Sequence, residues 1–324
     1  MSRRSNSFIL WLGITFAAAL IFPSFGAVLS EYASVQIILI MILYFGMGLS
    51  TEFSVLVRGA RNYRLHLITQ MCIFVVAPIV AFAFYSLVSL VTPPSIAVGI
   101  LFLGCLPTTI TSCIMLTSHS KGNAVGAMYN AMLSQILAVF IAPMILSLLI
   151  GTRIEQTASL GSIILSLLQR MLLPLLAGQL IRILLPALVR RLGSFPERIS
   201  FNVIFIILYI SMSSVMINDL LLANIPYLIV PALAACVMCV VLLYFSWWVG
   251  GFASFPIADR ISIAYTGTQK TIAMGIPLAA IYFAGNYELI SYASLVIVAY
   301  YTFSMFFSAI TVDRIAAKAR LQES

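Results

Sequence analysis

The sequence predicts an all-α polytopic membrane protein, and three observations carry that reading. Apolar residues make up 62% of the chain and charged ones 8%, whereas soluble domains run at about 45–50% and about 25%. Those apolar residues fall in long runs, so that nearly all of the 324 residues divide into segments close to the roughly 20 that a transmembrane helix needs. Short segments of alternating polarity, the mark of a membrane β-barrel, are missing.

Ten spans follow in order: 8–25, 33–50, 65–91, 96–117, 124–150, 158–185, 200–217, 226–250, 261–283 and 289–310. The first comes after Met1-Ser2-Arg3-Arg4, and no small-residue cleavage site closes it before Phe22-Pro23. It therefore reads as a span and not as a signal peptide. Several segments exceed a straight crossing and predict tilt. The net charge of +8 comes from basic residues scattered between spans, which speaks for orientation and against nucleic-acid binding. Arg3, Arg4, Arg58, Arg61, Arg64, Lys121, Arg190, Arg191, Arg198, Arg260, Arg314, Lys318 and Arg320 fall on one side. The other side holds only Arg153, with Glu31, Glu155, Asp219 and Glu288. The positive-inside rule then puts both termini in the cytoplasm, in a multi-pass protein of the cytoplasmic (inner) membrane. Cys72, Cys105, Cys113, Cys236 and Cys239 all lie in apolar runs and read as small packing residues.

Ten spans with both ends on one side divide into two sets of five, residues 1–151 and 152–324 of one transporter unit. A five-span unit inserts upside down relative to its copy, and such inverted repeats build many secondary transporters around discontinuous helices in corresponding positions. Spans four and nine correspond, and both are interrupted by polar residues. Span four carries Gly104-Cys105-Leu106-Pro107-Thr108-Thr109-Ile110-Thr111-Ser112-Cys113; span nine carries Tyr265-Thr266-Gly267-Thr268-Gln269-Lys270-Thr271 followed by Gly275 and Pro277.

Pro107 removes a backbone donor and disfavours helix at Leu106. Gly267 and Gly275 are expected to weaken the helix around Gln269 and Lys270, and Pro277 to kink it. Thr108, Thr109, Thr111, Ser112, Thr268, Gln269 and Thr271 then offer polar groups for an ion or substrate at the two breaks. Lys270 is the most telling residue, because a lysine at mid-helix costs about 2.5–3.5 kcal/mol to insert and no Asp or Glu lies mid-span to pair with it. Three readings stand: it snorkels to an interface, it donates to exposed carbonyls, or it faces a central cavity where an anionic substrate or a coupling cation sits. Gln70, Asn130, Ser134, Gln135 and Asn202 add further intramembrane polar groups, of which Gln70 and Asn130 are candidates for the site. Arg170, ahead of Pro174 in span six, is expected near the outer interface or snorkelling, with anion binding as the other reading.

With these helices placed, the sequence resembles the bile acid:sodium symporter family, and its divergent SBF-like branch of bacterial symporters in particular. The resemblance rests on Tyr44-Phe45-Gly46-Met47-Gly48-Leu49, Gln70 with Pro78, Gly104-Cys105-Leu106-Pro107-Thr108-Thr109, Lys121-Gly122-Asn123 and Gly267-Thr268-Gln269-Lys270-Thr271. It implies ten helices in two inverted repeats, panel and core domains, and broken helices four and nine that cross in the core. It also implies sodium sites made by a Ser-Asn pair, a Glu-x-x-x-Gln-Asn pattern and a glutamine on helix three. Gln70, Ser112 and Gln269 match; Cys113, Tyr265 and Lys270 depart. A carboxylate has gone and an ammonium has arrived, so a sodium site is doubtful.

The expected function is secondary-active, cation-coupled transport of a small organic anion by alternating access, with Na+ or H+ as coupling ion. A proton-coupled or uncoupled carrier, or a non-transporting regulator of ion homeostasis, stays open beside it. An enzyme is not expected: His66 and His119 are the two histidines, and neither HExxH nor GxSxG occurs. No cofactor or nucleic acid is implied, and no metal beyond the doubtful sodium site; the expected partners are the organic anion, Na+ or H+ as coupling ion, and the lipid bilayer.

Overall fold

The computed structural model describes residues 3–50, 62–150, 160–217 and 220–321. Arg58, Arg61, Arg153, Glu155 and Asp219, which enter the topology argument, lie outside the described residues, as does the 151/152 boundary between the expected repeats. Within them the chain is helical. Helix α1 (Arg3–Ile21) gives way to α2 (Pro23–Glu31) at a 90° bend, so the expected straight span 8–25 is a bent pair. Pro23 causes the bend by forcing Phe22 out of the helical region, to φ −125° and ψ 55°. The carbonyl of Phe22 that this exposes accepts a 2.7 Å hydrogen bond from the Tyr209 hydroxyl.

Helix α3 (Ala33–Ser50) is followed by α4 (Tyr63–Val88), whose start is capped by Asn62 accepting from the Leu65 N–H. α4 contains a π turn at Cys72–Val76. Next come α5 (Pro94–Cys105) and α6 (Ile110–His119), bent by 62°, and α7 (Ala124–Ile150). α8 (160–184) repeats the π-turn device at Leu168–Leu172, just ahead of Pro174. The short α9 (Pro186–Leu192) meets α10 (Phe195–Ile217) at 61°, and Leu185 before Pro186 has the Phe22 geometry, φ −125° and ψ 57°. α11 (Leu220–Phe252), α12 (Ile257–Thr268), α13 (Ile272–Tyr282) and α14 (Tyr287–Leu321) complete the order.

Five of the described helices are long and apolar enough to cross a membrane, and eight spans result if each of the three bent pairs counts as one. This is a polytopic α-helical membrane protein. Its helices form two compact units, each drawn from both halves of the sequence.

One unit contains α1 to α3, α8 to α10 and the stretch Ile276–Ser294. Here α3 and α8 touch through glycines: a Cβ on Gly178 would lie 2.4 Å from the Phe45 carbonyl oxygen. The side chains of Gln179 and Arg182 donate to the carbonyls of Gly48 and Leu49 in the last turn described for α3. Arg170 lies half-buried in the α8 π turn.

The other unit contains α4 to α7, Tyr227–Gly275 and α14 from Leu295 onward. Ile96 to Cys105 of α5 and Ile261 to Thr268 of α12 are buried on every side. A helix as apolar as α5 belongs in a core; α12 is buried with Ser262, Thr266 and Thr268 along it, and both helices lead into the breaks.

Candidate transport site

The site grows from three irregularities in the second unit, the first two traceable to a proline. In α4 the Ala77 N–H reaches back to the Cys72 carbonyl, one residue further than in an α-helix. The next residue is Pro78, which has no N–H to give. The Ile73 carbonyl is thereby left without a helical donor. In α5 the chain turns extended at Leu106, φ −71° and ψ 146°, as the following Pro107 requires. The Thr108 N–H, which would have served Gly104, donates instead to Ser134 Oγ at 3.3 Å. The carbonyls of Gly104 and Leu106 are thus freed as well. α12 ends at Thr268 and the chain runs extended from Gln269, φ −64° and ψ 136°, until α13 begins at Ile272.

The two breaks meet. The Thr271 N–H donates to the Pro107 carbonyl at 3.2 Å, one extended segment against the other. Lys270, only 1% exposed, places its Nζ 2.7 Å from the Leu106 carbonyl oxygen, 3.0 Å from that of Gly104 and 3.4 Å from that of Ile73. Of the three readings of this lysine, snorkelling is incompatible with the burial; the geometry is that of a donor to freed carbonyls. Gly104 lets these groups converge, for a Cβ there would sit 2.3 Å from the Ala81 Cβ on α4.

Around the crossing, Thr108 is held on all sides. Its hydroxyl lies 3.0 Å from Cys113 Sγ and its carbonyl accepts from Gln135 Nε2 at 2.9 Å. Gln269 donates from Nε2 to the Ser308 hydroxyl at 3.0 Å and accepts from that of Ser304 at 3.4 Å. The Thr268 hydroxyl bonds back to the Ala264 carbonyl, and its own carbonyl takes the Tyr300 hydroxyl at 2.6 Å. Thr109 is the half-buried residue before α6, Ser112 is buried in the first turn of α6, and Thr111 faces outward.

Gln70 and Asn130 form a second group. Gln70 Nε2 donates to the main-chain oxygen of Asn130 at 3.0 Å and to its Oδ1 at 3.2 Å, while Asn130 Nδ2 donates to the Gly126 carbonyl. With their amide nitrogens so engaged, Gln70 Oε1 and Gln135 Oε1 are buried acceptors that have no hydrogen-bond donor among the described residues.

The expected helix-breaking residues divide. Pro107 sits in the extended segment of the first break. Gly267 does not break its helix: it lies inside α12, where a Cβ would come 2.6 Å from Ser246 Oγ. Gly275 and Pro277 lie inside α13, and a Cβ on Gly275 would come 2.7 Å from Leu106 Cδ1. These glycines permit close packing beside the breaks, and Gln269 to Thr271 supply the break itself. Sequence reasoning passed over Ser304 and Ser308. Their spacing of four along an apolar helix was the available signal, since it puts both hydroxyls on one face.

A model of the SBF-like CPA transporter family matches residues 6–317. The chain belongs to that family. This SBF-like transporter is also 31% identical over 281 residues to the uncharacterized protein PA2026 of Pseudomonas aeruginosa, covering 86% of this chain and 84% of the relative. It is 28% identical over 289 residues to YfeH of Escherichia coli, covering 86% and 83%. The sodium/bile acid cotransporter 7 of Xenopus tropicalis is 25% identical over 319 residues, covering 96% of this chain and 92% of its own. Membership settles the broad class: a membrane transporter of the bile acid:sodium symporter type. In the SBF-like transporter the extended segments of the two breaks, the hydrogen bond between them and the buried Lys270 all lie in the second compact unit.

Proposed function

We propose that the chain is a secondary-active carrier of small organic anions, working by alternating access in the cytoplasmic membrane. Ten spans in two inverted five-helix repeats, with both termini cytoplasmic, go with this reading. The repeat is supported by spacing: Phe22 and Leu185, with their matching pre-proline geometry, lie as far apart in sequence as Pro107 and Lys270 at the two breaks.

The observation that carries the proposal is the Thr271-to-Pro107 contact between broken helices, with the Lys270 ammonium beside it. Broken helices end in carbonyls and restart in N–H groups, giving a carrier local sites for both signs of charge without charged side chains. The net charge here is positive, which favours an anionic solute. Cation coupling follows the family, but a free cation beside Lys270 is opposed: two like charges 4 Å apart repel by about 4 kcal/mol at an effective dielectric of 20. A proton, or no coupling ion, suits this position better than sodium.

The test is counterflow in proteoliposomes loaded with unlabelled cholate or short monocarboxylates and challenged with the labelled compound. Trans-stimulated uptake is expected for at least one of them. Absence of flux for every anion, in protein that remains folded, would remove the carrier reading and leave the regulator.

A further inference from the structure

The cluster around Lys270 Nζ has a property beyond holding a side chain in place. Its three contacts, the oxygens of Ile73, Gly104 and Leu106, are main-chain carbonyls that only accept hydrogen bonds, and an ammonium has three donors and no acceptor. Three convergent carbonyls therefore match the ammonium and leave it no spare donor. Two helices contribute them, and each is free because its own helix cannot use it: Ile73 through the π turn and Pro78, Gly104 through the diversion of Thr108 to Ser134, and Leu106 through Pro107. Rings of backbone carbonyls are how proteins take a monovalent cation out of water without spending a carboxylate.

We propose that the Ile73, Gly104 and Leu106 carbonyls form a monovalent-cation site, which the chain fills with its own Lys270 ammonium. The consequence for coupling rests on the carrier reading: a position filled from within needs no free ion during transport. The site itself stands without that reading.

Shortening the lysine empties the cage, so a small free ammonium ion should replace it. The probe is methylammonium chloride, with choline chloride as a control too large to enter, and the readout is the thermal midpoint of the purified full chain. Lys270→Ala is expected to melt lower than wild type and to regain about 5 °C at saturating methylammonium, since a ligand bound only by the folded state raises its midpoint. Wild type, with the cage filled, and Lys270→Met, with the cage blocked by an apolar chain, should not respond. A methylammonium effect no larger in Lys270→Ala than in wild type, or one equalled by choline, overturns the proposal. Should Lys270→Ala fail to fold, recovery only when methylammonium is present throughout purification supports it. Recovery in neither condition, with Lys270→Met recovered, counts against it.

The wild-type chain gives a check that needs no variant. It has three lysines, Lys121, Lys270 and Lys318, so nitrogen-15 lysine labelling yields three side-chain signals. One ammonium should exchange its protons slowly with water at neutral pH, and three fast-exchanging groups would overturn the assignment. Because neither readout involves flux, a failed counterflow experiment and a failed cage experiment are separate results.

Discussion

Lys270 and the residues packed around it respond to substitution in ways that charge alone does not predict. Lys270→Arg keeps the positive charge, yet the planar guanidinium carries five donors in a wide fork where three carbonyls converge on one point. We expect the arginine variant to be destabilised by about 1–3 kcal/mol from overpacking and to transport poorly; denaturant or thermal unfolding beside uptake would show both losses. Gly104→Ala should cost a similar amount, about 1–3 kcal/mol, because its Cβ meets that of Ala81. Adding Ala81→Gly should return most of the loss, whereas an equally placed but unrelated glycine would not. Gln269→Leu takes the donor from the buried Ser308 hydroxyl, while Ser304 keeps its bond to the Tyr301 carbonyl, and leaving one such group unsatisfied costs about 1–3 kcal/mol.

At the scale of the helix, the prolines decide which carbonyls are free. Pro78→Ala gives α4 a new N–H that can serve Ile73, so Lys270 loses one acceptor while the helix gains a bond. The expected outcome is little change in the unfolding midpoint with a clear drop in uptake rate. Pro107→Ala is the companion case at the first break, where Leu106 is no longer barred from helix; its uptake should fall too. This scale is also where the sequence could be read least evenly. Pro107 announced its break because a proline acts on its own neighbours. The second break lay where the polar residues were, but glycine was a poor guide to it: Gly267 and Gly275 are spaces for Ser246 and Leu106, which are remote in sequence. The three acceptors of Lys270 lie at least 164 positions away along the chain, so no local pattern could choose among its possible roles. The π turn of α4 was likewise hidden, since it depends on which N–H the helix leaves unused.

Across the whole molecule, composition and the length of the apolar runs were enough for the class, because hydrophobic thickness is a property of the solvent and not of packing. Bends were not legible in the same way: Phe22 and Leu185 turn sharp corners in sequences that hydropathy reads as continuous. Orientation is open to direct measurement. A green fluorescent protein fused after Ser324 should fluoresce, and alkaline phosphatase fused after Tyr32 should be active, if both termini face the cytoplasm as the basic residues direct. The reverse pattern would invert the proposed topology while leaving the helices as they stand.

The carbonyl cage also has an electrical meaning. If the chain is the carrier proposed above, an ammonium that belongs to it travels with the carrier and does not leave on either side. With a monoanionic solute bound, the pair is neutral, so exchange of one anion for another should be indifferent to membrane potential. Without proton coupling, such an empty carrier would return with its charge uncompensated, and one elementary charge crossing 100 mV is worth about 2.3 kcal/mol. Net uptake into vesicles should therefore quicken when the lumen is made positive and slow when it is made negative, with exchange under the same clamp unchanged. In such a carrier the lysine is the gating charge of the return stroke, and potassium–valinomycin clamping of proteoliposomes would read it directly.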